Sequence, residues 1–169
     1  MTSPEIFKIV LVGESKVGKT CIINQYSQGK FDPDTQPSLT AVFCKKEINL
    51  PDNTKISAHI YDTAWLPKYR SLAKIFFKDA EAVILVYDPT DENSFKELKE
   101  FWNDQVKAFN LILAVGANKC DLKEKKVKDE EGKEFADSIG AIFASVTAKD
   151  NIGISQLFEK IAEAIKNKK

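Results

Sequence analysis

The segment Gly13-Glu14-Ser15-Lys16-Val17-Gly18-Lys19-Thr20 sets two glycines, a lysine and a hydroxyl at the spacing G-x-x-x-x-G-K-[ST], directly after a short apolar run. The chemistry such a segment can do is phosphate binding. Glycines let the backbone curl until successive N–H groups converge on phosphate oxygens, and a helix starting there adds the positive end of its dipole. Lys19 supplies a point charge for a β and a γ phosphate. Thr20 supplies a hydroxyl for Mg²⁺, a small hard cation that keeps several waters and needs only one or two protein oxygens. The candidate phosphate site is this loop together with Cys21 behind it.

A second group of residues addresses a base. Asn118-Lys119-Cys120-Asp121 follows another apolar run and places a carboxylate three residues after an amide. A carboxylate accepts two hydrogen bonds from the N1–H and exocyclic amine of guanine, whereas adenine offers no matching pair of donors. Leaving such a buried group unpaired is worth roughly 10⁴- to 10⁵-fold in discrimination, so Asp121 alone is sufficient to select guanine. Asn118 is expected to tie this loop to the phosphate loop. A third loop, Ser145-Val146-Thr147-Ala148-Lys149, brings the Ala148 N–H toward the guanine carbonyl.

Loops of this kind need strands and helices to hold them. Residues 6–12, 82–87 and 111–115 are apolar runs too short for helices and bounded by Gly, Asp and Pro, which is how fully buried parallel strands read. Phe95, Leu98, Phe101, Trp102 and Val106, and later Ile154, Leu157, Phe158, Ile161 and Ile165, recur at helical spacing and predict crossover helices. Residues 43–50 and 54–62 flank Pro51-Asp52-Asn53 and predict an antiparallel hairpin joined to the parallel set. The charge run 123–132 reads as a solvated loop and a helix start. The predicted fold is a three-layer α/β sandwich in one domain, residues 1–169. Its sheet is mixed, mostly parallel and six-stranded, flanked by about five helices, with ligand loops at the carboxyl ends of the strands.

Bulk composition narrows the partners. Twenty-five basic residues balance twenty-five acidic ones, which argues against nucleic acid or an anionic surface as a bulk partner. Cys21, Cys44 and Cys120 lack zinc spacing and read as reduced thiols of a cytoplasmic protein. No stretch approaches the roughly 20 apolar residues of a membrane span, and the first residues do not form a signal peptide. The lone His59 lies within a predicted strand without a nucleophile or metal-type companion nearby in sequence and reads as structural or surface.

With its three loops in this order, the chain resembles the Ras superfamily of small GTPases along nearly its whole length, and the Rab branch most closely. The phosphate loop, Asp62-Thr63-Ala64, residues 118–121 and Thr147-Ala148-Lys149 carry the match. The resemblance implies a switch that binds GDP or GTP with Mg²⁺ and acts in vesicle trafficking. It implies that Phe31 packs edge-on against the base, a core aromatic being the alternative, and that Lys119 and Lys149 lie along the faces of the base. It implies that Asp62 reaches Mg²⁺ through a water. Phe43, Tyr61 and Phe76 fall where Rab-like proteins carry an aromatic triad read by effectors, although aromatics on strands are as often core.

Two segments depart from the family pattern. In Pro37-Ser38-Leu39-Thr40, Ser38 stands where the family has a Thr that binds Mg²⁺ and senses the γ phosphate. The family's D-T-A-G-Q-E reads here Asp62-Thr63-Ala64-Trp65-Leu66-Pro67. Leu66, in the place of the glutamine that orients the attacking water, cannot position it, and catalysis of phosphoryl transfer is mostly positioning and charge stabilisation. Trp65, in the place of a glycine that approaches the γ phosphate, either lies over the nucleotide, offers an apolar anchor or packs against the first switch. Very low intrinsic hydrolysis is expected, with no catalytic residue assigned.

Three function classes remain open from the sequence: a regulatory switch; an enzyme, either a GTPase with atypical water positioning or a P-loop kinase, against which Asp121 argues; and a nucleotide-bound scaffold that does not switch. The switch reading expects effector proteins at residues 32–41 and 63–77 and an exchange factor. Rab-like proteins are prenylated on C-terminal cysteines, and this chain ends Ile165-Lys166-Asn167-Lys168-Lys169. Peripheral attachment to endomembranes is therefore expected only through a lipidated tail absent from this chain.

Overall fold

The computed structural model describes residues 6–14, 17–29, 42–62, 74–119 and 124–168. Six strands form one sheet in the order β2-β3-β1-β4-β5-β6. They are β1 (Ile6–Val12), β2 (Val42–Asn49), β3 (Lys55–Asp62), β4 (Ala82–Tyr87), β5 (Ile112–Ala117) and β6 (Ile142–Ser145). β2 runs antiparallel to β3, and the other neighbours are parallel. The mixed, mostly parallel sheet of the sequence expectation is the one observed.

Alternation within the central strands shows why both faces need cover. In β1, Phe7, Ile9 and Leu11 enter one core cluster while Val10 and Val12 enter the other. β4 divides likewise: Ala82, Ile84 and Val86 face the first core, and Val83, Leu85 and Tyr87 the second. β4 is buried along its whole length and β1 from Ile9 to Val12. Strand stretches covered on both faces are apolar throughout, without the polar alternation of a half-exposed strand. Ile6 and Lys8, nearer the start of β1, are exposed and half-buried. β3, at the hairpin end, does alternate between buried and half-buried positions.

Helices α1 (Lys19–Gln28) and α6 (Ile154–Lys168) close the first core through Ile22, Ile23, Leu157, Phe158, Ile161 and Ile165. On the other side lie the short α2 (Lys74–Phe77), a long crossover and α5 (Asp129–Ser138). Complete burial of each such aliphatic side chain contributes about 1.5–3 kcal/mol. α5 starts where the charge run was expected to start a helix. Its first turn carries Asp129, Glu130 and Glu131, matching the helix dipole, and Glu131 accepts the Lys128 N–H at 2.8 Å.

The crossover is not a uniform α-helix. α3 (Glu92–Glu97) opens on Asp91, whose side chain accepts the Asn93 N–H at 3.0 Å, and passes into a π-helical turn, Leu98–Trp102, before α4 (Asn103–Val106). In the π turn the Asn103 N–H bonds five residues back, to the Leu98 carbonyl. Leu98, Trp102 and Val106 are four apart, a spacing that drifts around an ideal helix, and the wider turn keeps all three fully buried.

Candidate functional site

Two tight glycines shape the loop after β1. Gly13 has φ 149°, and a Cβ there would stand 2.3 Å from the Val86 carbonyl oxygen at the end of β4. Gly18 has φ 95°, and a Cβ there would stand 2.2 Å from Asn118 Nδ2. The backbone thus curls against β4 on one side and the Asn118 loop on the other, in a conformation that L side chains rarely adopt. α1 begins directly behind, with no acidic residue in its first turn and no side chain capping its N-terminus.

Lys19 is 3% exposed, and its ammonium donates to the carbonyls of Gly13 and Glu14, both at 2.9 Å. Burial pulls its pKa below the usual lysine value, while the charges of Asp62 and Glu14 oppose that shift. Thr20 Oγ1 donates to Asp62 Oδ2. Asp62 is fully buried, and among the described residues its other oxygen, Oδ1, has no hydrogen-bond partner. Burial raises the Asp62 pKa, and Lys19 and the Thr20 hydroxyl act against the rise. A buried carboxylate oxygen without a donor, beside a hydroxyl and a buried ammonium, is the donor set a hydrated divalent cation and an adjoining phosphate require.

The Asn118 carboxamide donates to the Val17 carbonyl at 2.8 Å, and its oxygen accepts the Ala148 N–H at 3.3 Å. Its backbone N–H bonds to the Tyr87 carbonyl, so the side chain is presented from the end of β5. Lys119 follows at φ 64°, its Nζ 3.2 Å from Asp88 Oδ2. Thr147 is buried and pairs reciprocally with Ile152, closing the third loop ahead of α6, and Lys149 is exposed on that loop. The Ala148 N–H, expected at a guanine carbonyl, thus already serves Asn118, and a base would share it.

The described residues bring together Gly13, Glu14, Val17, Gly18, Lys19, Thr20, Asp62, Asn118 and Ala148, with Cys21 half-buried in the first turn of α1. Tyr61 and Phe76 lie close, ring centroids 6.2 Å apart, and Phe43 is the register partner of Tyr61 in the hairpin. Ser15, Lys16, Phe31, Ser38, Trp65, Leu66 and Asp121 lie outside the described residues, as does the Phe43 side chain.

Three participants escaped the sequence reading. Gln25, on the buried side of α1, donates to the Ala148 carbonyl at 2.7 Å. Asp88 holds Lys119, and Trp102 donates its indole N–H to Glu14 Oε1 at 3.0 Å. A glutamine within an otherwise apolar helix face was the one available signal for the first. The other two read as an ordinary turn residue and a core aromatic.

A glycine-shaped strand-to-helix loop with a buried lysine, at the carboxyl edge of a mostly parallel sheet, defines a P-loop α/β protein. Residues 8–167 match the Ras family, and the chain belongs to that family, as a Rab-like small GTPase. It is 36% identical over 166 residues to the Ras-related protein Rab-21 of Geodia cydonium, covering 94% of this chain and 70% of that protein. To the human Ras-related protein Rab-22A it is 35% identical over 162 residues, covering 94% and 82%. To human Rab-3A it is 35% identical over 165 residues, covering 95% and 74%.

Proposed function

We propose that the chain, read as a single domain over residues 1–169, is a guanine-nucleotide-dependent switch of vesicle trafficking whose own GTP hydrolysis is very slow. The observation that carries the nucleotide reading is Asn118, one side chain bonded to both the phosphate loop and the third loop. In this reading the amides of the loop formed by Gly13, Glu14, Ser15, Lys16, Val17 and Gly18, with Cys21 behind it, surround the phosphates of GDP or GTP. Lys19 adds its charge. Thr20, Ser38 and, through water, Asp62 hold Mg²⁺, which when bound neutralises the β and γ phosphates. Asp121 selects guanine, Phe31, Lys119 and Lys149 enclose the base, and the Thr147-Ala148 backbone lies at its edge.

Ser38 and Trp65 are the candidates for sensing the γ phosphate. Leu66 offers neither donor nor acceptor to a water, so the positioning part of catalysis is lost, and with it most of the response to an arginine supplied in trans. Effectors read residues 32–41 and 63–77 together with Phe43, Tyr61 and Phe76, and an exchange factor opens the site. Among the described residues no helix is long and apolar enough to cross a membrane. The protein is read as cytoplasmic, reaching endomembranes only through a lipidated tail.

Trp65-Leu66-Pro67 favours a second reading, a scaffold that holds one nucleotide and does not switch. Calorimetry with GDP and with a non-hydrolysable GTP analogue, beside single-turnover GTP hydrolysis at saturating Mg²⁺, separates the two. The switch reading expects both nucleotides to bind, effector affinity to differ between them and turnover to be far below that of ordinary Ras-type proteins. Equal effector affinity with either nucleotide selects the scaffold, and ordinary turnover contradicts the impaired-hydrolysis claim.

A further inference from the structure

Trp102 is 1% exposed and closes the π-helical turn Leu98–Trp102. A phenyl ring would fill much of the same space without bringing a polar atom into the core, whereas a buried indole N–H requires an acceptor. That acceptor is Glu14 Oε1, 3.0 Å away and 88 residues distant in sequence, on the second residue of the phosphate loop. Phe101 packs edge-on against the indole with ring centroids 4.9 Å apart, which restricts its rotation. Single π turns reposition the side chains that follow them and recur at functional sites.

Glu14 is consequently fixed at two atoms. Its carbonyl accepts the Lys19 ammonium at 2.9 Å, and its carboxylate accepts the indole N–H. A hydrogen bond to a charged group is among the stronger ones, so the indole contact secures the same residue whose carbonyl receives Lys19. We infer that Trp102 is a positioning residue for the phosphate loop: by holding Glu14 it keeps the loop's second peptide, and with it the carbonyl that receives Lys19, in place, and thereby slows nucleotide release. The inference rests on the nucleotide reading above.

Displacement of a fluorescent GDP from the full chain tests it with Trp102→Phe, Glu14→Ala and the double variant. Each single change is expected to speed release by about tenfold, the scale of one charge-assisted hydrogen bond. The double variant is expected to release no faster than the faster single variant, because both remove the same contact. Glu14→Gln, which keeps an acceptor, is expected to release more slowly than Glu14→Ala. Wild-type release in Trp102→Phe, or effects that multiply in the double variant, overturns the inference.

Should Trp102→Phe not fold, a Trp65→Phe background leaves Trp102 as the sole tryptophan. Its emission is then expected to shift when GDP is displaced, and Glu14→Ala to abolish the shift; emission indifferent to GDP overturns the inference. A parent chain that takes up no guanine nucleotide overturns the nucleotide reading as well, whereas normal uptake with unchanged variants overturns this inference alone.

Discussion

Asn118 donates its side-chain amide to the Val17 carbonyl at 2.8 Å and accepts the Ala148 N–H at 3.3 Å, so one carboxamide joins segments 101 and 30 residues away from it. The residue is 1% exposed, and its removal strands a buried carbonyl and a buried amide. Asn118→Ala is expected to cost about 2–6 kcal/mol, the sum for two buried groups left unpaired. A thermal melt and a GDP-release measurement should both move, melting to lower temperature and release to a faster rate. A variant that melts and releases like the parent contradicts the bridge.

Gly18→Ala places a methyl group 2.2 Å from Asn118 Nδ2 on a backbone with φ 95°. Strain and displacement of Asn118 combine, and the expected cost is about 2–4 kcal/mol with a marked loss of GDP affinity. Gly29, at φ 68° after the C-terminus of α1, has open space where a Cβ would stand. Gly29→Ala is expected to cost only about 1–2 kcal/mol in stability and to leave GDP affinity unchanged. Calorimetric titration of the two variants side by side checks the contrast, and equal losses of affinity would refute it.

Much of this architecture is legible in the chain. β1 and β4 occupy the runs 6–12 and 82–87, where residues 9–12 and 82–87 are covered on both faces, and Gly13 and Asp88 end them. β5 runs two residues past its expected end, since Gly116 and Ala117, poor in strand propensity, are sandwiched between β4 and β6. The π turn at Leu98–Trp102 was not foreseeable from periodicity, because tertiary packing of Trp102 decides it. Loop geometry at Asn118 follows from residue type and order. The Trp102–Glu14 and Gln25–Ala148 bonds do not, because only folding makes those residues neighbours.

Tyr87 is fully buried, and among the described residues its hydroxyl has no hydrogen-bond partner. Burial, followed by the charges of Asp129 and Glu131, pushes its pKa well above the ordinary tyrosine value. Tyr87→Phe removes an unsatisfied polar group and keeps the ring contact with Phe95, whose centroid lies 4.7 Å away. It is expected to raise stability by about 1 kcal/mol, read as a higher denaturant midpoint at unchanged slope. A lower midpoint would mean that the hydroxyl has a partner.

Asp52, in the hairpin turn, accepts from Lys166 of α6 and from Thr54, and these bonds hold its pKa well below the usual carboxylate range. A depressed folded pKa stabilises above the ordinary carboxylate value of about 3.9, and the gain is lost as pH falls through the folded value. Both side chains are largely solvent-exposed, so the effect is small and screened by salt. Lys166→Met is expected to lower the melting temperature slightly at neutral pH and low salt, and to make progressively less difference below about pH 4 or in high salt. A deficit that grows on acidification contradicts the sign.

The most direct test of a guanine-nucleotide site is competition between GDP and ADP for the purified chain in the presence of Mg²⁺. Asp121 as the selector of the base predicts GDP retention with a preference of roughly 10⁴-fold or more over ADP. Retention of neither nucleotide, or comparable affinity for both, would contradict the assignment.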